Sequence, residues 1–402
     1  MNRHSALVPA MAAALFCSSA APATFTQTTV ASDNGAEPTL DVAPDGTLYI
    51  TTAPGLVIGD VPPSISPVYR SDNGGATWIN TPSDLREFGI GGGDMDLVVA
   101  PDGTIATSDL WLGSSSVSVS HDKGQTWLSQ PLQGVVVQDR EWLAATAGFF
   151  YHVVHQLPAG DIVSVSTNGL VYPAHFVGAT PLDQTGCICA PGNMIAEGSG
   201  GLLTDSIAFV FPTTTQGAGV SRSTNGGLTW TVSYPGASVN PGAVTGFPII
   251  ADGGAGKLAV VWQPASTGAF YLVTSSNFGT TWSTPQVIEG TGTSVYPWVA
   301  YRNGVIAISY YHTTASATVA DNVPANAVWT ISYKDSTDGF AARTDIETIK
   351  SGPICTQGSG CSANRELLDF QSVAIDNAGK AVIAYTRDLP PGPVEVRFAK
   401  QQ

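Results

Sequence analysis

Several short clusters in the 402-residue sequence combine residue types that can do chemistry. Asp139-Arg140-Glu141-Trp142 sets a guanidinium between two carboxylates and beside an indole. Asp109-Leu110-Trp111, His155-Gln156, Trp262-Gln263, Tyr310-Tyr311-His312 and Arg387-Asp388 each close an apolar, β-branched run. Glu37, Asp94, Asp96, Phe247, Tyr296-Pro297-Trp298 and Asp369 open others. A guanidinium such as Arg140 or Arg387 can hold a carboxylate bidentately and stabilise the enolate-like charge left when an adjacent proton is removed. A neutral imidazole, His155 or His312, has an ordinary pKa of about 6.5 and suits the base of such a step. A phenol, Tyr311 or its alternatives Tyr296 and Tyr310, can hand a proton to the leaving oxygen. Paired carboxyls, Asp109 with Asp139 or Glu141, suit hydrolysis instead. Trp111, Trp142, Trp262, Trp298 and Tyr296 offer aromatic faces for a ring-shaped ligand.

Each residue also has a structural reading. Arg140 beside Asp139, and Arg387 beside Asp388, fit structural ion pairs. Glu141 and Trp142 fit the start of a strand with packing between neighbouring units. His155 and His312 fit hydrogen-bonded core histidines, and His152, deeper in its run, fits that reading better still.

The elements that must position these residues are strands. With 44 Gly and 27 Pro the chain is too rich in breakers for a helical protein, while 43% hydrophobic content excludes disorder. Sixteen Lys+Arg against 31 Asp+Glu give a net charge of −15, so nucleic acid is excluded as a partner class. Four segments share one turn pattern: Ser71 to Trp78, Ser120 to Trp127, Ser223 to Trp230 and Ser275 to Trp282, with degraded copies at Ser166-Thr167-Asn168 and Ser336-Thr337-Asp338. In each, Asp or Asn can bind turn amides, Gly supplies a positive φ and Trp packs against a neighbour. A second series of turns runs out of phase with the first: at Pro44-Asp45-Gly46, Pro101-Asp102-Gly103, Gly148, Gly200-Gly201, Asp252-Gly253, Asn303-Gly304 and Asn377-Ala378-Gly379. Steps of about fifty residues leave room for four short strands per unit. Seven turns therefore predict an all-β, seven-bladed β-propeller over residues 24–402. Its last blade has Phe370–Ile375, Ala381–Thr386 and Val394–Ala399, and takes its fourth strand from Phe25–Val30.

Residues 1–23 read as a secretory signal peptide: Arg3 and His4, an apolar stretch from Ala6 to Phe16, then small residues up to Ala23. The expectation is a secreted, extracellular protein without a membrane partner. Cleavage would remove Cys17 and leave Cys187, Cys189, Cys355 and Cys361, an even set that favours disulfides. Cys355 and Cys361 can close a small loop. Cys187 and Cys189 have no His nearby in sequence, so no metal site is expected, and no cofactor either; a structural calcium ion in a central channel stays open. No dimerisation signal is present, so a monomer is expected.

The Ser-x-Asp-x-Gly-x-Thr-Trp pattern resembles the Asp-box, or BNR repeat, of sialidase-like β-propellers. The resemblance covers nearly all of residues 24–402 and implies that the boxes join third and fourth strands, away from the site. The opposite mouth would then gather the residues opening each innermost strand and closing each second strand, which are the clusters above. Sialidases of this kind use three arginines, a Tyr–Glu pair and an acidic proton donor. Here only Arg140 and Arg387 fall clearly on the mouth, with Arg302 and Arg365 less well placed, and no Arg-Ile-Pro motif precedes the first box. The chain also looks like secreted propeller lyases that cleave an L-rhamnose-α-1,4-D-glucuronate cap by β-elimination. That resemblance implies an acidic plant or extracellular glycan as partner. In it, Arg140, His155, His312 and Tyr311 would be catalytic, and Arg387, Asp109, Trp111, Asp139, Trp142, Trp262, Tyr296 and Trp298 would bind substrate. A sialidase-like hydrolase and a non-catalytic carbohydrate-binding propeller are the alternatives.

Overall fold

The computed structural model describes residues 22–32, 35–54, 67–81, 93–111, 114–132, 137–156, 160–177, 190–237 and 242–402. The expected leader up to residue 21, Cys17, Cys187 and Cys189 lie outside them. Seven four-stranded antiparallel sheets form a seven-bladed β-propeller. Their innermost strands, blades 1 to 7 in order, are Gly35–Val42, Met95–Val99, Gln138–Ala145, Asn193–Glu197, Val244–Asp252, Thr293–Arg302 and Ser372–Ile375. The second strands are Leu48–Pro54, Ile105–Trp111, Phe150–Gln156, Ser206–Pro212, Leu258–Pro264, Val305–Thr313 and Ala381–Arg387. These runs are buried on both faces because each blade is covered by its two neighbours, which explains their near-continuous Val, Ile, Ala and Leu content. No helix among the described residues is long and apolar enough to cross a membrane.

The ring closes as the sequence predicts. Phe25–Ala31 adds to the edge of Glu395–Gln401, with Phe25 opposite Gln401 and Thr28 opposite Phe398, so both chain ends share one blade. The boxes join third and fourth strands. In the four complete copies the Ser Oγ accepts the Gly N–H four residues on, for example Gly75 to Ser71 at 2.9 Å and Gly124 to Ser120 at 2.8 Å. The Asn or Asp oxygen accepts the Thr N–H, as in Thr229 to Asn225 at 2.9 Å. Gly75 must be glycine twice over. Its φ is 91°, and a Cβ would lie 2.0 Å from the Phe398 ring. The box tryptophans then reach the preceding blade: Trp78 meets Phe398 edge-on, and Trp282 Nε1 donates to Ser233 Oγ at 3.1 Å.

Near the axis the blades are stitched by side chains to the next blade's backbone. Asp41 accepts from Val99 N–H, Asp96 from Leu143 N–H and Asn193 from Ile250 N–H, and Arg302 donates to the Ile375 carbonyl. Antiparallel order puts the boxes and the first turns at one end of every blade, so the other end is free to form a site.

Removing residues up to Ala31 is expected to lower the thermal midpoint and produce higher oligomers in size-exclusion chromatography, because the edge of Glu395–Gln401 is left unpaired. An unchanged midpoint in a monomeric truncated protein would show that closure is dispensable.

Candidate active site

Four innermost strands slip register near the end away from the boxes: between Ala36 and Thr39, Asp139 and Glu141, Thr245 and Ile249, and Val295 and Trp298. Inside each slip one residue is left-handed: Glu37 (φ 51°), Arg140 (φ 46°), Gly246 (φ 60°) and Tyr296 (φ 55°). A bulge re-aims a side chain. For a non-glycine residue the backbone costs about 1–3 kcal/mol, which the surrounding structure must offset. The result is that Glu37, Arg140 and Tyr296 gather from three separate blades.

Arg140 is the centre of the group, with 2% of its surface exposed. Its Nη1 lies 3.4 Å from Glu37 Oε2 and 3.7 Å from Asp94 Oδ1, and Nη2 donates to the Met95 carbonyl at 3.4 Å. The guanidinium sits 3.9 Å over Trp142 and 4.4 Å over Phe370. Trp142, Trp298, Phe370 and Phe247 pack edge-on or tilted with ring centroids 5.3–6.3 Å apart, forming an aromatic layer beneath it. Glu37 Oε1 accepts the Asp369 N–H at 3.0 Å, and Asp369 Oδ2 receives Arg365 Nη2 at 2.5 Å. Tyr296 donates its hydroxyl to the Cys355 carbonyl at 3.3 Å.

The acids around this guanidinium are held unequally. Burial pushes Glu37 well above the ordinary carboxyl range; Asp94 and Asp369 add to it, while Arg140 and Arg365 oppose. Glu141 is raised well above that range by burial, then by Asp94, with Arg140 again opposing. Neither Glu141 oxygen has a hydrogen-bond partner among the described residues. Asp139 is raised by burial and by Asp94. Asp94, whose side chain is 25% exposed, is the most open acid of those paired with Arg140. Glu37 and Asp94 therefore pair with one cation, and Asp139 and Glu141, both raised by burial, stand close enough to feel its charge.

The other expected site residues separate into two groups. His155 belongs near the cluster: it stands opposite Asp139 in the ladder, and its Nδ1 lies 3.2 Å from the buried Asp161 Oδ1. Asp109 is buried close enough to Glu141 to raise it further. Trp142 and Trp298 are in the aromatic layer. Of the rest, Tyr311 reaches the edge of the group, its ring meeting that of Tyr296 edge-on at 6.3 Å, and the other described ones are bonded or packed elsewhere. The buried Tyr311 hydroxyl accepts the Thr386 N–H at 3.1 Å and ties blade 6 to blade 7. The buried His312 bonds Ser294 Oγ through Nδ1 at 3.1 Å and faces Glu289, Arg343, Asp345 and Lys334 rather than the axis. Tyr310 donates to Glu289 at 3.2 Å. Arg387 pairs with Glu347 at 3.0 Å and Glu395 at 2.5 Å between blades 6 and 7, and Asp388 takes Lys350 at 2.8 Å. Trp262 is fully buried, stacked on Tyr271 among the apolar residues of blades 4 and 5. Trp111 ends its strand, and its side chain is outside the described residues. His152 is a core histidine, bonded to Ser108 Oγ at 2.8 Å.

Sequence reasoning missed Asp161 and underrated Arg365. A signal for Asp161 existed: it lies six residues after His155, and in the ladder of Phe150–Gln156 with Gly160–Ser166 it falls opposite that imidazole. Arg365 is only legible once Asp369 is placed, because no strand carries it. Cys355 and Cys361 form the expected disulfide, with Cα atoms 5.9 Å apart. No group of three or more His, Cys, Asp or Glu able to hold a metal occurs among the described residues.

Fold and site together define an Asp-box seven-bladed β-propeller with an acidic, guanidinium-centred cluster at the end of its axis. No protein-family model and no curated protein matches the sequence. Among solved structures, the chain is similar to an α-L-arabinanase of Penicillium chrysogenum, at 16% identity over 94% of this chain and 98% of that one, with a TM-score of 0.47. An α-L-arabinofuranosidase of Fusarium graminearum shows 15% identity over 94% and 96%, with a TM-score of 0.47. A sialidase of Streptococcus pneumoniae shows 11% identity over 94% and 70%, with a TM-score of 0.46.

The raised acids make a pH prediction. Asp41 and Asp252 are pushed up to about 6 and Asp96 to about 7, in each case chiefly by burial, in the same direction as Glu37, Glu141, Asp139 and Asp161. Such groups bind protons in the folded state that the unfolded chain has lost above about pH 4, so stability falls as pH rises from there towards about 7. Burial lowers His152 to about 3 and His312 to about 4, which acts oppositely below about pH 6.5, but these two are outnumbered. Glu289 and Asp45, lowered to about 2, keep their contributions until the pH falls below about 4. The thermal midpoint is expected to be highest at mildly acidic pH, and Asp96→Asn should flatten its decline towards neutrality. A midpoint that climbs steadily up to pH 8 would contradict these environments.

Proposed function

We propose that the protein is a glycoside hydrolase whose active site is the carboxyl cluster around Arg140. The observation that carries this reading is the arrangement of Glu37, Asp94, Asp139 and Glu141 near one buried guanidinium. Glycosidic cleavage uses two carboxyl groups, one as acid and one as base or nucleophile. Asp139 is half-buried and raised by burial and Asp94, so it suits the acid that protonates the leaving oxygen. Asp94, more open and ion-paired to Arg140, suits the carboxylate that attacks the anomeric carbon or activates water. Glu141 is too enclosed to touch substrate and acts on the cluster through its charge state.

Hydrolysis is preferred over β-elimination for a specific reason. Elimination beside a uronate carboxylate needs cations free to clamp it. Arg140 and Arg387 are both engaged by protein carboxyls, and the Tyr311 hydroxyl and the Nδ1 of His312 are engaged too. A sialidase-type arrangement needs three arginines, whereas the described residues bring Arg140 and Arg365 to the cluster, each paired with an acid.

The test is to incubate the protein with a panel of aryl glycosides and plant oligosaccharides, following released sugar together with the ultraviolet absorbance of unsaturated uronates. Sugar release without that absorbance is expected, and Asp94→Asn or Asp139→Asn should lower turnover by about 10²–10⁴-fold in protein that circular dichroism shows to be folded. Unsaturated product, or full activity in a folded Asp94→Asn variant, would overturn the assignment.

A further inference from the structure

Beside the carboxyl cluster lies a cavity of about 250 Å³, just below the roughly 300 Å³ at which small-molecule pockets usually begin. Blade 4 contributes Thr213 and Thr214, blade 5 contributes Gly246 and Phe247, and the loop closed by Cys355–Cys361 contributes Thr356. Asp369 lines it as well, and through its N–H bond to Glu37 it joins the cavity to the cluster.

Three features of this wall define what it can hold. The first is space made deliberately: at Gly246, left-handed at φ 60°, a Cβ would lie 3.2 Å from the Tyr296 ring, so any larger residue would crowd the floor. The second is a braced wall. Asp321 accepts from the Thr356 N–H at 3.3 Å and from its hydroxyl at 2.7 Å, and Gln357 Nε2 reaches the same carboxyl at 3.2 Å, so the disulfide loop is held against the fold. The third is charge: among the described residues the lining has hydroxyls, an apolar aromatic and one carboxylate, and no cation. Arg365 pairs with Asp369 through Nη2 and is not part of the lining.

From this geometry we infer that the cavity is a subsite for a single neutral sugar residue, and that acidic sugars are excluded from it. The inference deepens the hydrolase reading and rests on it for the bond cleaved next door. A neutral pyranose or furanose ring can lay its apolar face on Phe247 and meet Thr214 and Thr356 with its hydroxyls. A uronate or sialate would instead bring an uncompensated carboxylate against Asp369, at a desolvation cost that nothing in the lining offsets.

The experiment measures binding, independently of cleavage, by saturation-transfer NMR and isothermal titration. The probes are methyl arabinofuranoside, galactopyranoside and rhamnopyranoside against glucuronate and N-acetylneuraminate. Binding by at least one neutral probe and by neither acid is expected. Thr214 is exposed at the rim, so Thr214→Trp fills the cavity without disturbing the core; it should weaken that binding by about tenfold or more. Binding of an acidic probe in place of the neutral ones, binding by none, or neutral binding unaltered in a folded Thr214→Trp variant would each overturn the inference. Neutral binding lost in Thr214→Trp, with no cleavage of any substrate, would overturn the hydrolase reading and leave the subsite standing.

Discussion

A guanidinium buried at the end of the propeller axis is the constraint on which the site depends. Removing Arg140 from water costs several kcal/mol unless acids and aromatic faces replace the lost hydration. Glu37 and Asp94 supply the acids, and Trp142 and Phe370 supply the faces. Glu37 is itself so buried that its carboxyl is raised well above the ordinary range, with Arg140 opposing that shift. Arg140 and its carboxyls therefore stabilise one another as a group, and their proton count belongs to the group rather than to any one residue.

Reaching that arrangement requires backbone strain in several blades. A flat innermost strand would point its alternate side chains at the neighbouring blades. The register slips and left-handed residues turn Glu37, Arg140 and Tyr296 out of that alternation and towards the axis. The inter-blade bonds made by Asp41, Asp96, Asn193 and Arg302 hold the innermost strands while this happens. The two ends of the propeller consequently have different duties. At the box end, the Ser–Asx turns make nearly identical bonds in the four complete copies. At the other end the left-handed positions carry Glu37, Arg140, Gly246 and Tyr296, all different, and the carboxyl cluster lies there.

Several residues that look chemical in sequence are bonded into the frame. Tyr311, His312, Arg387 and Trp262 each lie at or near the end of a second strand, where a mouth residue would lie. For Tyr311, Arg387 and Trp262 an adjacent blade offers the partner, namely the Thr386 amide, Glu347 or the apolar wall of blade 4, whereas His312 bonds Ser294, its ladder neighbour in the same blade. A strand end presents two faces, and only the position of the neighbouring blade decides which face is the mouth.

What the sequence determined by itself is the repeat. Strand-length apolar runs, two out-of-phase series of turns and the box pattern are local signals, since each depends on residues within one hairpin, and they sufficed for blade number, the closing strand at Phe25 and the disulfide loop. They also placed Arg140, Asp139, Glu141 and His155 at the end of the blade away from the boxes, because those residues sit at strand starts and ends that the turns define. The grouping of Glu37, Arg140, Asp94 and Asp369 was decided only by tertiary structure. These residues come from blades 1, 2 and 3 and from the segment leading into blade 7, and their meeting depends on ring closure and on left-handed backbone that no residue type announces. Glutamate, arginine and tyrosine seldom adopt that conformation, and it persists here because packing and ion pairing across the axis offset its cost.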